Sequence, residues 1–351
     1  MQLRANYLRD CANFSGTYTI DIEYESERHL PKHRHIPRGL ASALILVTMS
    51  FTFAQFLEPP RRFHIIAAQW NYGAFRKTFQ DFSSESVCPI TSFVPSNALR
   101  DARVYLKWNG DVVVEDNDVL YELNILPVDL KHYEAYDILP LRLGKSKYFE
   151  KMSVVARAVF VPQPSIMRII QDVWENLTSQ NVSYTFVHVR RGDKRNEARI
   201  VPISTYAEKL NTENTRRNHS VTTVFLMCDG YKTCDEFRLA LGGSYCLVTY
   251  KTLMQQWGLW NASMETEEHT QIAFDQLSEE KRLMQALELV VSLYIGALSS
   301  FTVCSYSSNI CKFIALLRGG KMDHNGVYSV DDPSWGTTAF QSRLSTLWLQ
   351  C

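Results

Sequence analysis

The chain has no charge of either sign to spare: among its 351 residues, 37 Lys and Arg stand against 37 Asp and Glu. A balanced chain has no global field to draw it onto nucleic acid or an acidic membrane surface, so any anion must be held by a local site. Its eight cysteines include no tight Cys-x-x-Cys pair, which argues against a zinc site. No internal repeat and no low-complexity tract interrupts it. No secretory signal is visible, because the apolar stretch Leu40 to Leu57 begins too late and has no small-residue cleavage motif. That stretch has about the minimum length for a membrane helix, yet it contains Ser42, Thr48, Ser50, Thr52 and Gln55. A buried helix followed by a strand is expected there.

What is present is enough apolar sequence for a full core and enough length for two ordinary domains. Five N-x-S/T sequons (Asn13, Asn176, Asn181, Asn218 and Asn261), together with the cysteines, favour an oxidising, glycosylating compartment. His29, His33 and His35 cluster, but among Arg28, Lys32, Arg34 and Pro31, so they read as a solvated basic loop and not as metal ligands.

The C-terminal half alternates strand and helix signals, the pattern of an open parallel sheet covered on both faces. Strands are expected at Tyr184 to Val189, Thr222 to Met227, Tyr245 to Thr249 and Phe301 to Cys304. Helices are expected at Ile203 to Leu210, Cys234 to Leu241, Ser278 to Leu298 and Ser307 to Leu317, with Thr212 to Ser220 a polar loop. In the long helix Ser278 caps, Glu279 and Glu280 follow, and Leu283, Leu287, Val290, Tyr294 and Leu298 form one stripe. A further helix starts at Pro164-Ser165 and carries Ile166, Ile169, Ile170, Val173 and Leu177 at helical spacing; it leads into the 184 strand and reads as a bridge between two domains. The first 160 residues read as a second, less regular α/β domain. The expected division is 1–180, 181–332 and a C-terminal remnant 333–351.

The chemistry concentrates in Phe186-Val-His-Val-Arg-Arg-Gly-Asp-Lys194, where a hydrophobic strand runs into two arginines, an aspartate and a lysine. In an open α/β sheet that strand end is where ligands bind. Arginine forks beside a lysine suit a diphosphate; a solvated basic turn paired to Asp193 and Glu197 is the plainer alternative. Ser305-Tyr-Ser-Ser-Asn309 ends the last strand and opens a helix, which is either an anion-binding turn or an ordinary cap. Glu197, three residues past Lys194, has the chemistry of a general base toward a sugar hydroxyl, or it is a solvated surface carboxylate.

Together these stretches resemble the α1,6-fucosyltransferases, the enzymes that core-fucosylate N-glycans and those that fucosylate chitin oligosaccharides. The resemblance runs in order from about Leu3 to Asp332. Gln69-Trp70-Asn71-Tyr72 looks like the family's Asn-Trp-Arg-Tyr, Ser84-Glu-Ser-Val-Cys88 like its Ser-Glu-Thr-Cys, and Phe160-Val-Pro-Gln-Pro164 like its Ile-Arg-Pro-Gln-Pro. The most specific match is His188-Val-Arg-Arg-Gly-Asp-Lys194 to His-Val-Arg-Arg-Thr-Asp-Lys. Val303-Cys-Ser-Tyr-Ser-Ser-Asn-Ile-Cys311 is similar to Val-Cys-Thr-Phe-Ser-Ser-Gln-Val-Cys, and Tyr328-Ser-Val-Asp-Asp332 to His-Ser-Leu-Asp-Asp.

The resemblance implies a GT-B-like fold of two α/β domains, with a Rossmann-like sheet in the C-terminal half. It implies GDP-fucose as donor, an N-glycan or oligosaccharide acceptor, inversion at fucose, no metal or cofactor, and a place in the Golgi lumen. By the matched positions, His188 would help hold the guanosine, Arg190 the β-phosphate beside Ser308, and Tyr72 the donor from the other domain. Tyr206, Asp229 and Ser292 stand at further donor-site positions. Arg191, Asp193 and Lys194 match residues needed for activity, and Glu197, coupled to Lys194, matches the catalytic base. Disulfides Cys11–Cys88 and Cys304–Cys311 are implied.

The departures bear on activity. One residue is deleted between Lys194 and Glu197, Ser292 replaces an aspartate that reads guanine, with Glu288 one turn earlier as a substitute, and Gly230 replaces the second member of an Asp-Asp pair, leaving Asp229. His33 to Gly39 replaces a Gly-rich loop. The family's anchor, stem and most of its SH3-like domain have no counterpart, so the chain is expected to be a truncated product, a soluble paralogue or a portion of a longer protein. A donor- or glycan-binding pseudoenzyme, or transfer to a chitin-like acceptor, are the alternatives to core fucosylation.

Overall fold

In a computed structural model the described residues are 144–179, 183–191, 200–218, 220–259, 273–274, 276–321 and 325–331, with short pieces of the first 143. The chain forms two compact units, Met1–Gln163 and Pro164–Cys351. The helix expected to bridge the domains therefore groups with the second unit.

The first unit holds a five-stranded sheet of β1 (Thr17–Asp21), β2 (Arg62–Ile66), β3 (Thr91–Ser92), β4 (Val104–Leu106) and β5 (Val112–Val114). Its order is β3-β2-β1-β4-β5, parallel except for the β4–β5 pair. The described residues between 40 and 52 are helical, with Leu44, Val47, Thr48 and Thr52 buried. The two threonines return their hydroxyls to backbone carbonyls one turn back, at 2.8 and 2.7 Å. Helix α1 (Lys145–Val159), not anticipated from the sequence, buries Tyr148, Phe149, Met152, Val155, Ala156 and Val159 on one stripe.

The second unit is built on a five-stranded, wholly parallel sheet of order β10-β9-β6-β7-β8. Its elements run α2 (Pro164–Thr178), β6 (Ser183–Val189), α3 (Ile203–Arg216), β7 (Val221–Cys228), α4 (Tyr231–Leu241), β8 (Cys246–Val248), α5 (Tyr250–Gln256), α6 (Glu279–Leu298), β9 (Thr302–Cys304), α7 (Asn309–Arg318) and β10 (Val327–Ser329). Helices α3 and α4 cover one face, where Val187 and Val189 pack with Ile203, Tyr206, Leu210, Phe237 and Leu241. Residues 184, 186 and 188 alternate to the other face, where α6 and α7 lie: the Tyr184 hydroxyl donates to the Ile295 carbonyl at 2.8 Å.

Three differences from the sequence reading have physical causes. The expected loop 212–220 is helical to Arg216, because Asn214 turns inward and exchanges both amide hydrogen bonds with the backbone of Val221, as a neighbouring strand would. Glu213 beside it is buried but paired to Lys209 and Arg216 at 3.1 and 3.0 Å. In α6 the predicted stripe holds only in part: Val290 is buried as expected, but Leu298 is 53% exposed, and Ala286, Val291, Ser292, Leu293, Ile295 and Gly296 complete the buried surface. Small residues let the helix approach; a Cβ at Gly296 would stand 2.8 Å from Ile314 Cδ1 and 3.2 Å from Phe186 Cδ1. Finally, α5 and β10 were not anticipated; α5 is started by a reciprocal capping box between Thr249 and Thr252.

Candidate functional site

The strand order fixes where a ligand can enter. From β6 the chain crosses through α3 to β7 on one side, whereas β9, reached through α6 on the opposite face, returns to the other side of β6. The loops leaving the C-terminal ends of β6 and β9 therefore diverge, and the space between them is the crevice of a topological switch point. The arginine-rich segment leaves β6 there, and Ser305–Ser308 leaves β9 there; Val187 pairs with Val303 just below.

Arg190 is held at this edge. Its Nη1 donates to Asp229 Oδ1 at 3.2 Å, with 17% of the Arg190 side chain and 4% of the Asp229 side chain exposed. Asp229 also accepts the backbone N–H of Arg191 at 2.6 Å. The Arg191 guanidinium turns aside to Glu236 of α4, at 2.6 Å. Tyr206 is fully buried beneath; burial, and next the Asp331 carboxylate, push its phenol above the usual range.

Across the crevice the β9–α7 turn already holds an anion of its own. Asp331 accepts the N–H groups of Tyr306 and Ser307 at 2.8 and 3.1 Å, and the hydroxyls of Ser305 and Ser329. Those two amides are engaged internally, so the anion-accepting part of the turn lies further on. Ser308, buried, heads α7 as its N-cap but makes no side-chain cap bond. The positive end of α7, at Asn309–Cys311, opens beyond it. Cys304 and Cys311 are joined by a disulfide that ties β9 to this first turn.

Below Arg190 on the α6 side lies a polar column. The 295–296 level of α6 meets the 184–186 level of β6, so one turn back along the helix and two residues up the strand Ser292 and His188 share a level. Both are buried, and neither the Ser292 hydroxyl nor either His188 nitrogen has a hydrogen-bond partner. Burial, then the Arg190 charge, push the imidazole down to about 3, so it is neutral. One turn further, Glu288 is half-buried and burial pushes its carboxyl up to about 7.

The structure thus brings His188, Arg190, Tyr206, Asp229 and the Ser308 turn to one sheet end, with Ser292 under it. Asp193, Lys194, Glu197, Tyr72, Cys11 and Cys88 lie outside the described residues. Three contributors were given no role by the sequence reading, although Asp331 lies in the Tyr328–Asp332 motif. Asp331 and Glu236 each meet their partners only through the fold. The disulfide Cys228–Cys234, which encloses the five residues 229–233, had no signal in the sequence beyond four cysteines left unassigned, Cys228, Cys234, Cys246 and Cys351.

No protein-family profile matches the chain, and no curated protein sequence matches it. Among solved structures it is similar to a mutant of Arabidopsis thaliana FUT1 in complex with GDP (11% identity, 95% of this chain and 76% of that one, TM-score 0.48). It is also similar to the α-1,6-fucosyltransferase NodZ soaked with GDP-fucose (11%, 86% and 92%, TM-score 0.47) and to NodZ from Bradyrhizobium (13%, 86% and 94%, TM-score 0.45). These solved structures are of fucosyltransferases.

Proposed function

We propose that the chain transfers fucose from GDP-fucose to the 6-hydroxyl of the innermost GlcNAc of an N-glycan, with inversion and without a metal. The observation that carries this reading is the switch-point crevice itself: an arginine oriented by a buried aspartate stands on one side and an uncapped helix N-terminus behind Ser308 on the other. Such a pair suits a diphosphate, whose negative charge grows as the leaving group departs. Arg190 and Ser308 take the β-phosphate in this reading. The neutral His188 and Ser292, whose buried polar atoms have no hydrogen-bond partner, offer donors and acceptors for a base, with Glu288 one turn along α6. Glu197 takes the acceptor's proton, coupled to Lys194; Arg191 and Asp193 are needed for activity, and Tyr72 helps hold the donor. These last roles rest on the motif resemblance.

The test is GDP-fucose turnover over a small acceptor panel that includes a biantennary N-glycan and a chitin oligosaccharide. Arg190→Ala is expected to abolish GDP binding. Glu197→Gln should keep GDP binding and lose transfer by roughly 10²–10⁴-fold. Equal activity in wild type and both variants refutes the assignments. Ser292 and Gly230, standing where the resemblance calls for acids, favour a second reading as a GDP- or glycan-binding pseudoenzyme; stabilisation by GDP with no turnover on any acceptor would establish it.

A further inference from the structure

The two acceptors that orient the arginine pair come from one short segment, and that segment is cross-linked. Asp229 is the residue after β7 and holds both the Arg190 guanidinium and the Arg191 amide. Glu236, in the second turn of α4, takes the Arg191 guanidinium. Between them Cys228, the last residue of β7, is bonded to Cys234 in α4. Gly230 is the helix N-cap and offers no side-chain cap, so the turn lacks the usual hydrogen bond that fixes a strand-to-helix connection.

We propose that the Cys228–Cys234 bridge is the positioning element of the phosphate-binding Arg190 and its neighbour Arg191, fixing the β7–α4 turn so that Asp229 and Glu236 meet them at one geometry. A bridge over so short a loop removes less chain entropy than one closing a long loop. Its consequence is local: it decides where one nearly buried carboxylate stands. An orienting partner held in advance spares the ordering cost at binding. The inference rests on the nucleotide reading above for its ligand, but not for its geometry.

The test compares the full chain with a Cys228→Ser/Cys234→Ser double variant, bridge formation in the wild type being confirmed by peptide mapping without reduction. Hydrogen exchange at the Arg191 amide, read without any nucleotide, is expected to be slow in the wild type and at least tenfold faster in the variant, while β6 amides stay protected. Calorimetry should show GDP binding weakened by roughly tenfold or more, the scale of one charged hydrogen bond, and guanosine binding unchanged. A merely structural bridge would weaken GDP and guanosine alike. Unchanged Arg191 exchange in the variant, or a free thiol pair in the wild type, overturns the proposal. A wild type with a protected Arg191 amide and no affinity for GDP overturns the nucleotide reading instead.

Discussion

At the scale of single residues, buried His188 and half-buried Glu288 pull stability in opposite directions with pH. His188 titrates at about 3 in the folded chain against an ordinary 6.5. The unfolded chain therefore binds the extra proton, so the contribution of neutral His188 is complete above about 6.5 and is lost as pH falls toward 3. Glu288 titrates at about 7 against an ordinary 4.5. Here the folded chain holds the extra proton, so its contribution is complete below about 4.5 and is lost as pH rises through 7. Between pH 4.5 and 6.5 the two slopes offset. Glu288→Gln should unmask the His188 slope, and stability relative to wild type should rise with pH, by at most about 1.4 kcal/mol per unit for one proton. His188→Asn should show the reverse. Urea unfolding at pH 4.5, 5.5 and 6.5 checks both; parallel pH profiles in all three proteins would contradict the assignment. The motif around His188 and Arg190 was legible because a strand and its charged end are contiguous in sequence. Asp331 was not, because its partners Tyr306 and Ser307 lie 25 and 24 residues away and only the β9–β10 pairing brings them together.

At the scale of elements, the end of α6 is held by one side chain from the end of α7. Arg318 donates to the carbonyls of Gly296, Ala297, Ser299, Ser300 and Asn325, at 2.6–3.2 Å. No acid is paired with it in these contacts; it satisfies carbonyls that a helix end leaves orphaned. Arg318→Met should strand several of them in the core and cost about 3 kcal/mol or more. Arg318→Lys, with the charge but no fork, should cost less. The reading is a lowered urea midpoint at unchanged slope; a midpoint within error of wild type for Arg318→Met would contradict it. Helices α2, α3, α4 and α7 were legible in the sequence, and so were strands β6, β7, β8 and β9. The burial of α6 was legible only in part: Val290 was on the expected stripe, but Val291, Leu293 and Ile295, with the small Ala286, Ser292 and Gly296, were not. Nor was the extent of α3 legible, because Asn214 reads as a loop residue until Val221 is placed beside it.

At the scale of the molecule, strand order does what no motif could do alone. Residues 190 and 308 are far apart in sequence, and only the reversal at β6 and β9 makes them the two walls of one crevice. Binding there should stabilise the fold by mass action: GDP at about one hundred times its Kd should add roughly 2.7 kcal/mol, read as a rise in Tm that Arg190→Ala abolishes. An equal rise in Arg190→Ala would place the nucleotide elsewhere. The most direct measurement is a crystal structure of the chain soaked with GDP. The expected result is a β-phosphate within hydrogen-bond distance of the Arg190 guanidinium and the Ser308 turn, with the base beside His188 and Ser292. GDP bound away from the β6–β9 crevice, or a crevice left empty at saturating GDP, would contradict it.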